Sequence, residues 1–164
     1  KQLVSTLDFT VNRLRGDTRI AAFSLLGWDT LSSQHLRMPK LLGQLSQAIL
    51  TLKTGLGPAW DTTTVLAMTE FGRTVRQNGT RGTDHGTGGA MLMAGGAVRG
   101  GRVYGAWPGL AEADLYSRRD LMPTADVRSY AGYAMQGLFG LAGSDLERVV
   151  FPGLALGSHP GIIL

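Results

Sequence analysis

Two short apolar runs of strand length, Asp61–Met68 and Ala90–Val98, are separated by the polar stretch Phe71–Gly89, with glycines at 72, 79, 82, 86, 88 and 89. A structureless connection beyond about 15 residues is uncommon in a compact domain and is generally functional or mobile. Few apolar side chains are available to hold this one, so without a bound ion it is expected to be mobile. An acid, Glu70, closes the run before it, and an adjacent acid and imidazole, Asp84-His85, stand between Gly82 and Gly86. Acids and imidazoles at strand ends are the donor types of divalent metal sites.

The flanking sequence alternates helical and strand-like patterns. Lys1–Leu14 spaces Leu3, Val4, Leu7, Val11 and Leu14 at helical intervals, and Gly16-Asp17 breaks the pattern. Ile20–Leu26 is an apolar run of strand length closed by Gly27-Trp28-Asp29. Leu36–Leu56 sets Leu41, Leu42, Leu45, Ile49 and Leu52 on one helical face and ends at Gly55 and Gly57. After the strand Ala90–Val98 comes an extended segment, Val103–Leu110, then a helix over Val127–Leu141 and an edge strand at Val149–Phe151. This order predicts a single α/β domain over 1–164, with a mostly parallel sheet flanked by helices. Ligands of such sheets sit at the carboxyl ends of the strands, where Asp29 and Glu70 fall, with Asp84-His85 just before the third strand.

Composition narrows the function classes. A 43% hydrophobic and 17% charged chain of 164 residues is globular and large enough for a real core. The formal net charge is +4, but the arginines are scattered and no basic block interleaved with aromatics appears, so a nucleic-acid surface is not expected. Arg73, Arg76 and Arg81 do share the stretch that carries Asp84-His85, a local excess suited to an anionic ester such as a phosphate or sulfate. No cysteine is present, which removes disulfides and thiolate chemistry, and no apolar run reaches membrane-spanning length. The chain starts at Lys1 without a signal peptide, so a mature product or a fragment is expected.

Each candidate has a plainer reading. Asp29 is either a metal ligand or a cap beside Thr30, Ser32 and Ser33. Glu70 is a ligand or the ionic partner of Arg73. Asp84-His85 has little side-chain packing around it to account for a structural imidazole. His35 and His159 read as structural. Neither Gly95-Gly96 nor Gly100-Gly101 has phosphate-loop spacing, and no serine sits in a nucleophile elbow.

Four segments in order, Gly27-Trp28-Asp29-Thr30, Thr69-Glu70-Phe71-Gly72-Arg73-Thr74, Gly82-Thr83-Asp84-His85-Gly86 and Gly100-Gly101-Arg102-Val103-Tyr104-Gly105, resemble the bacterial domain of unknown function 1501 family. That family is grouped with sulfatase-like and alkaline-phosphatase-like proteins, and the resemblance runs from about Ile20 to Phe151. It implies an alkaline-phosphatase-like α/β fold, with Asp29, Glu70 and His85 as metal ligands and Asp84 as a further ligand or as the acceptor that orients His85. Arg73 would hold a non-bridging oxygen of the ester. Two positions depart from the pattern: Leu31 stands where the family commonly has histidine, and Phe71 where hydrolytic relatives have one. A shell short of nitrogen ligands favours Mg, Mn or Ca over Zn.

The resemblance covers only the C-terminal half of such proteins, and the nucleophile is expected in the N-terminal half. It therefore implies the C-terminal portion of a metal-dependent phosphatase- or sulfatase-like hydrolase of anionic esters, not active alone and exported to the periplasm. The alternative is a non-catalytic binding or assembly domain at the cell envelope. Either way, an apolar face normally covered by the absent half would favour self-association.

Overall fold

The computed structural model describes residues 2–164; Lys1, where the first expected helix begins, lies outside them. Helix α1 spans Gln2–Leu14 and α2 spans Gln34–Leu56, running into a 3-10 turn at Gly57–Thr62. Four short strands follow: β1 Val65–Ala67, β2 Gly72–Arg73, β3 His85–Gly86 and β4 Leu92–Ala94. Helix α3, Val127–Phe139, starts at Asp126, whose side chain accepts from the Arg128 amide, and stops at Gly140 in the left-handed conformation. A short helix α4, Gly143–Asp145, continues into a π-turn at Leu146–Val150.

The sheet departs from expectation. The mostly parallel sheet flanked by helices is not what the chain forms: β1 pairs antiparallel with β4, β2 pairs antiparallel with β3, and each pair stands alone. A parallel pair needs a crossover, usually a helix, to carry the chain back to the same end. The residues between β1 and β4 contain no helix but a second hairpin, so the chain returns antiparallel. The expected strand Ile20–Leu26 takes no regular secondary structure, and no backbone hydrogen bond pairs it with another strand among the described residues. Val149–Phe151 is the end of the π-turn and the residue after it, not an edge strand.

Two apolar clusters hold the fold. Leu7 and Val11 of α1 meet Ala48 and Leu52 of α2, with Trp60 and Val65 packed against them. The helices approach closely at Gly55, where an added Cβ would lie 2.7 Å from a Val11 methyl. Tyr133, Leu146, Leu154, Leu156 and Ile162 form the second cluster, to which β4 contributes Met93. The β1–β4 ribbon thus joins the two cores, because Val65 packs on one and Met93 on the other. The Tyr133 hydroxyl donates to the Leu156 carbonyl and pins the C-terminal tail to α3.

Candidate functional site

The β2–β3 hairpin is made by backbone lying on backbone. Gly72 faces Gly86 across the ladder and Arg73 faces His85. A Cβ on Gly72 would fall 1.7 Å from the Gly88 carbonyl oxygen, and one on Gly86 would fall 2.6 Å from the Arg73 carbonyl carbon. On the far side, a Cβ on Gly88 would come within 2.4 Å of the Leu121 carbonyl oxygen, to which the Gly88 amide itself donates at 2.9 Å. The glycine-rich stretch Phe71–Gly89 is therefore not a structureless loop. Glycine is what lets three layers of main chain stack there.

Side chains alternate faces along a strand, and directly opposed residues share one. Phe71, Arg73 and His85 accordingly come together. The His85 and Phe71 rings stack with centroids 4.0 Å apart at 25°, and the Arg73 guanidinium carbon lies 5.7 Å from the Phe71 centroid. Asp29 reaches this group from the irregular segment before α2. Its Oδ1 accepts from Arg73 Nη2 at 2.7 Å and lies 2.8 Å from His85 Nε2. These two bonds, His85 first and Arg73 second, hold the Asp29 carboxyl below its ordinary value of 3.8. A carboxylate oxygen can only accept, so Nε2 carries the proton of this bond and Nδ1 takes no part in it. Asp29 and His85 are about half exposed, whereas Arg73 is 23% exposed.

Arg73 is held in three places. Nη1 donates to the Thr83 carbonyl at 2.9 Å, and Nη2 donates to the Trp28 carbonyl at 3.0 Å as well as to Asp29. It stitches the Asp29 segment to the hairpin, and among the described residues its Nε and one Nη1 hydrogen have no acceptor.

Asp84 takes the opposite face. Its amide donates to Thr74 Oγ1 at 3.1 Å, and its Oδ1 accepts from Asn78 Nδ2 at 2.8 Å. The period of two that brings His85 to Asp29 turns Asp84 away. Glu70 makes no side-chain hydrogen bond or ion pair among the described residues, with Arg73 or any other group. Asp29 caps no helix; Ser33 holds the N-cap position of α2.

Asn78 escaped the reading of candidate residues, yet it organises the loop. Its Nδ2 donates to the Leu31 carbonyl at 2.9 Å and to Asp84, while its Oδ1 accepts from the Thr80 and Gly82 amides and from Thr80 Oγ1. The Asn-Gly pair signals a turn. That its amide would also clasp Leu31, 47 positions earlier, is a tertiary fact. Asp120 was also missed: it is buried, its Oδ2 accepts from Thr87, and Arg119 next to it donates to the His85 carbonyl.

The family model described as protein of unknown function (DUF1501) matches residues 10–150. The chain belongs to the DUF1501 family. No curated protein and no solved structure matches it. The match takes in all the residues of the cluster in this DUF1501 chain, Asp29, Phe71, Arg73 and His85. None of its described helices is long and apolar enough to cross a membrane.

As to metal, Asp29 and His85 offer one carboxylate oxygen and one imidazole nitrogen, two of the four donors zinc usually takes. No group of three or more His, Cys, Asp or Glu side chains gathers among the described residues. With Asp84 turned onto Asn78, these residues do not complete a divalent-ion shell by themselves.

Proposed function

We propose that the Asp29–Arg73–His85 cluster is this chain's contribution to a phosphatase- or sulfatase-like site for anionic esters, of the sulfatase-like and alkaline-phosphatase-like kind. One observation carries the reading: a single oxygen, Asp29 Oδ1, engages both an imidazole and a guanidinium on one open face. Asp29 fixes the ring so that Nδ1 points away as a proton acceptor or donor atom, and Arg73 supplies positive charge beside it. No serine or threonine stands out as nucleophile, and a divalent ion would need donors beyond Asp29 and His85.

The test is a titration of inorganic phosphate and of sulfate into the chain, read at the His85 ring resonances, with and without added Zn, Mg, Mn or Ca. A saturable shift, weakened in Arg73→Lys, is expected. A flat response under every condition refutes the reading. Metal content after dialysis against the same ions tests the metal-dependent form: any bound ion should be lost in Asp29→Ala and His85→Ala and kept in Asp84→Asn.

A second reading, a non-catalytic binding or assembly domain of the cell envelope, draws on a different observation. The solvent-accessible surface is 10506 Å², where a compact chain of this mass has about 7,900 Å². Part of the excess is the unpaired segment Ile20–Leu26, with Ile20 65% and Leu26 80% exposed. The occupant we infer is a second copy of the chain, since a lasting pair hides about 2,000–5,000 Å² in total, or about 1,000–2,500 Å² on each chain, close to that excess of about 2,600 Å² per chain. Antiparallel self-pairing about Phe23 would set Ile20 opposite Leu26 with no charge between them. Sedimentation should give a dimer that Phe23→Lys converts to monomer; a wild-type chain monomeric at every concentration refutes it.

A further inference from the structure

We infer that Asn78 is a site of spontaneous backbone-assisted deamidation, and that its conversion unlocks the hairpin presenting His85. This inference is independent of what the site binds. The residue that follows is Gly79, which brings no side chain to hinder the approach of its nitrogen to the Asn78 side chain and lies in open space, an added Cβ meeting nothing within 4 Å. The Gly79 amide donates no backbone hydrogen bond among the described residues and stays free to react.

The carbonyl it would attack is already polarised. Asn78 Oδ1 accepts from the Thr80 amide at 3.0 Å, from Thr80 Oγ1 at 2.9 Å and from the Gly82 amide at 2.9 Å. Two backbone N–H donors converge on this amide oxygen, joined by the Thr80 hydroxyl when its single proton turns from the Leu31 carbonyl at 2.7 Å, and that is an arrangement that stabilises an oxyanion at a tetrahedral carbon. Gly79 N bonds to Asn78 Cγ, the Cγ–Nδ2 bond breaks, and Nδ2 leaves as ammonia with the proton given up by Gly79 N. Water then opens the cyclic imide at either carbonyl, yielding aspartate or isoaspartate.

The product cannot keep the original contacts. Nδ2 now donates to the Leu31 carbonyl at 2.9 Å and to Asp84 Oδ1 at 2.8 Å. A carboxylate there has no donor for either, and it sets a second negative charge against Asp84. The Asn78 bond to the Asp29–Leu31 segment is lost, and Thr80 Oγ1, 2.7 Å from the Leu31 carbonyl, is left as its side-chain donor from the loop.

The experiment is incubation of the folded chain at mildly alkaline pH, with peptide mass spectrometry and isoaspartate detection over time. The other asparagine, Asn12 in α1, is the internal control. Acid should accumulate at residue 78 and not at residue 12, several-fold more slowly in Gly79→Ala and in Thr80→Val. Amide hydrogen exchange at Thr74, whose N–H donates to the Asp84 carbonyl, should rise in the converted fraction. No acid at residue 78, or a native rate in both variants, overturns the assignment. Unchanged exchange at Thr74 in converted protein overturns the unlocking.

Discussion

Replacing Gly82 by alanine should separate Asp29 from His85 without touching either. The added Cβ would lie 2.3 Å from both the carbonyl carbon and the oxygen of Leu31, and 2.5 Å from the Thr30 oxygen. Ordinary contact is about 3.5 Å, so one backbone must retreat by roughly 1 Å. The retreat strains three bonds to that segment: Thr83 N to the Thr30 carbonyl at 3.3 Å, and the two that reach the Leu31 carbonyl from Thr80 Oγ1 at 2.7 Å and Asn78 Nδ2 at 2.9 Å. Overpacking costs about 1–3 kcal/mol, and each weakened bond adds up to about 1 kcal/mol. A loss of about 3 kcal/mol, or roughly 9 °C in Tm for a chain of this size, is the expected result. Urea titration measures the stability, and the His85 ring resonances report on the contact with Asp29. A variant within about 0.5 kcal/mol of the native chain and with unchanged His85 resonances would refute the claim that backbone contact builds the site.

Three further outcomes are expected. Asp29, whose folded value lies below 3.8, stays ionised as its unfolded counterpart takes up a proton, so its contribution to stability is present above the ordinary value and is lost as pH falls through the folded one; Asp29→Asn should flatten that acid limb in a pH series of denaturation midpoints. Leu146 is fully buried in the second cluster, and Leu146→Ala should cost about 2–5 kcal/mol by urea titration. Tyr133→Phe leaves the Leu156 carbonyl without its donor, costing about 1–3 kcal/mol, with faster exchange in the C-terminal tail as the local readout.

The helices were legible because their information is local. The spacing of Leu41, Leu45, Ile49 and Leu52 and the capping Asp126 mark α2 and α3 to within a few residues of their observed ends. Strand pairing is not local. Ile20–Leu26 has a strand's composition, but the missing partner is not written in those residues, and the short β1–β4 match depends on how the intervening hairpin folds. Of the candidate residues, Asp29, Arg73 and His85 meet because β2–β3 register places them on one face. The same register sends Asp84 to the other, which adjacency in the sequence had hidden. Glu70 stands outside the hydrogen-bonded cluster, and Asn78 is central to the loop through a partner far away in the chain.

The stacked glycines have a consequence for how such a surface can change over time. Because Gly72, Gly82, Gly86 and Gly88 lock main chain to main chain, the scaffold owes little to the identity of the residues that project from it beside Arg73. Phe71 and His85 stand on that plate like fittings on a rail. Exchanging them would alter the chemistry the face presents while leaving the rail in place. Selection, or an engineer, could therefore vary that face one residue at a time, without a compensating change in either core.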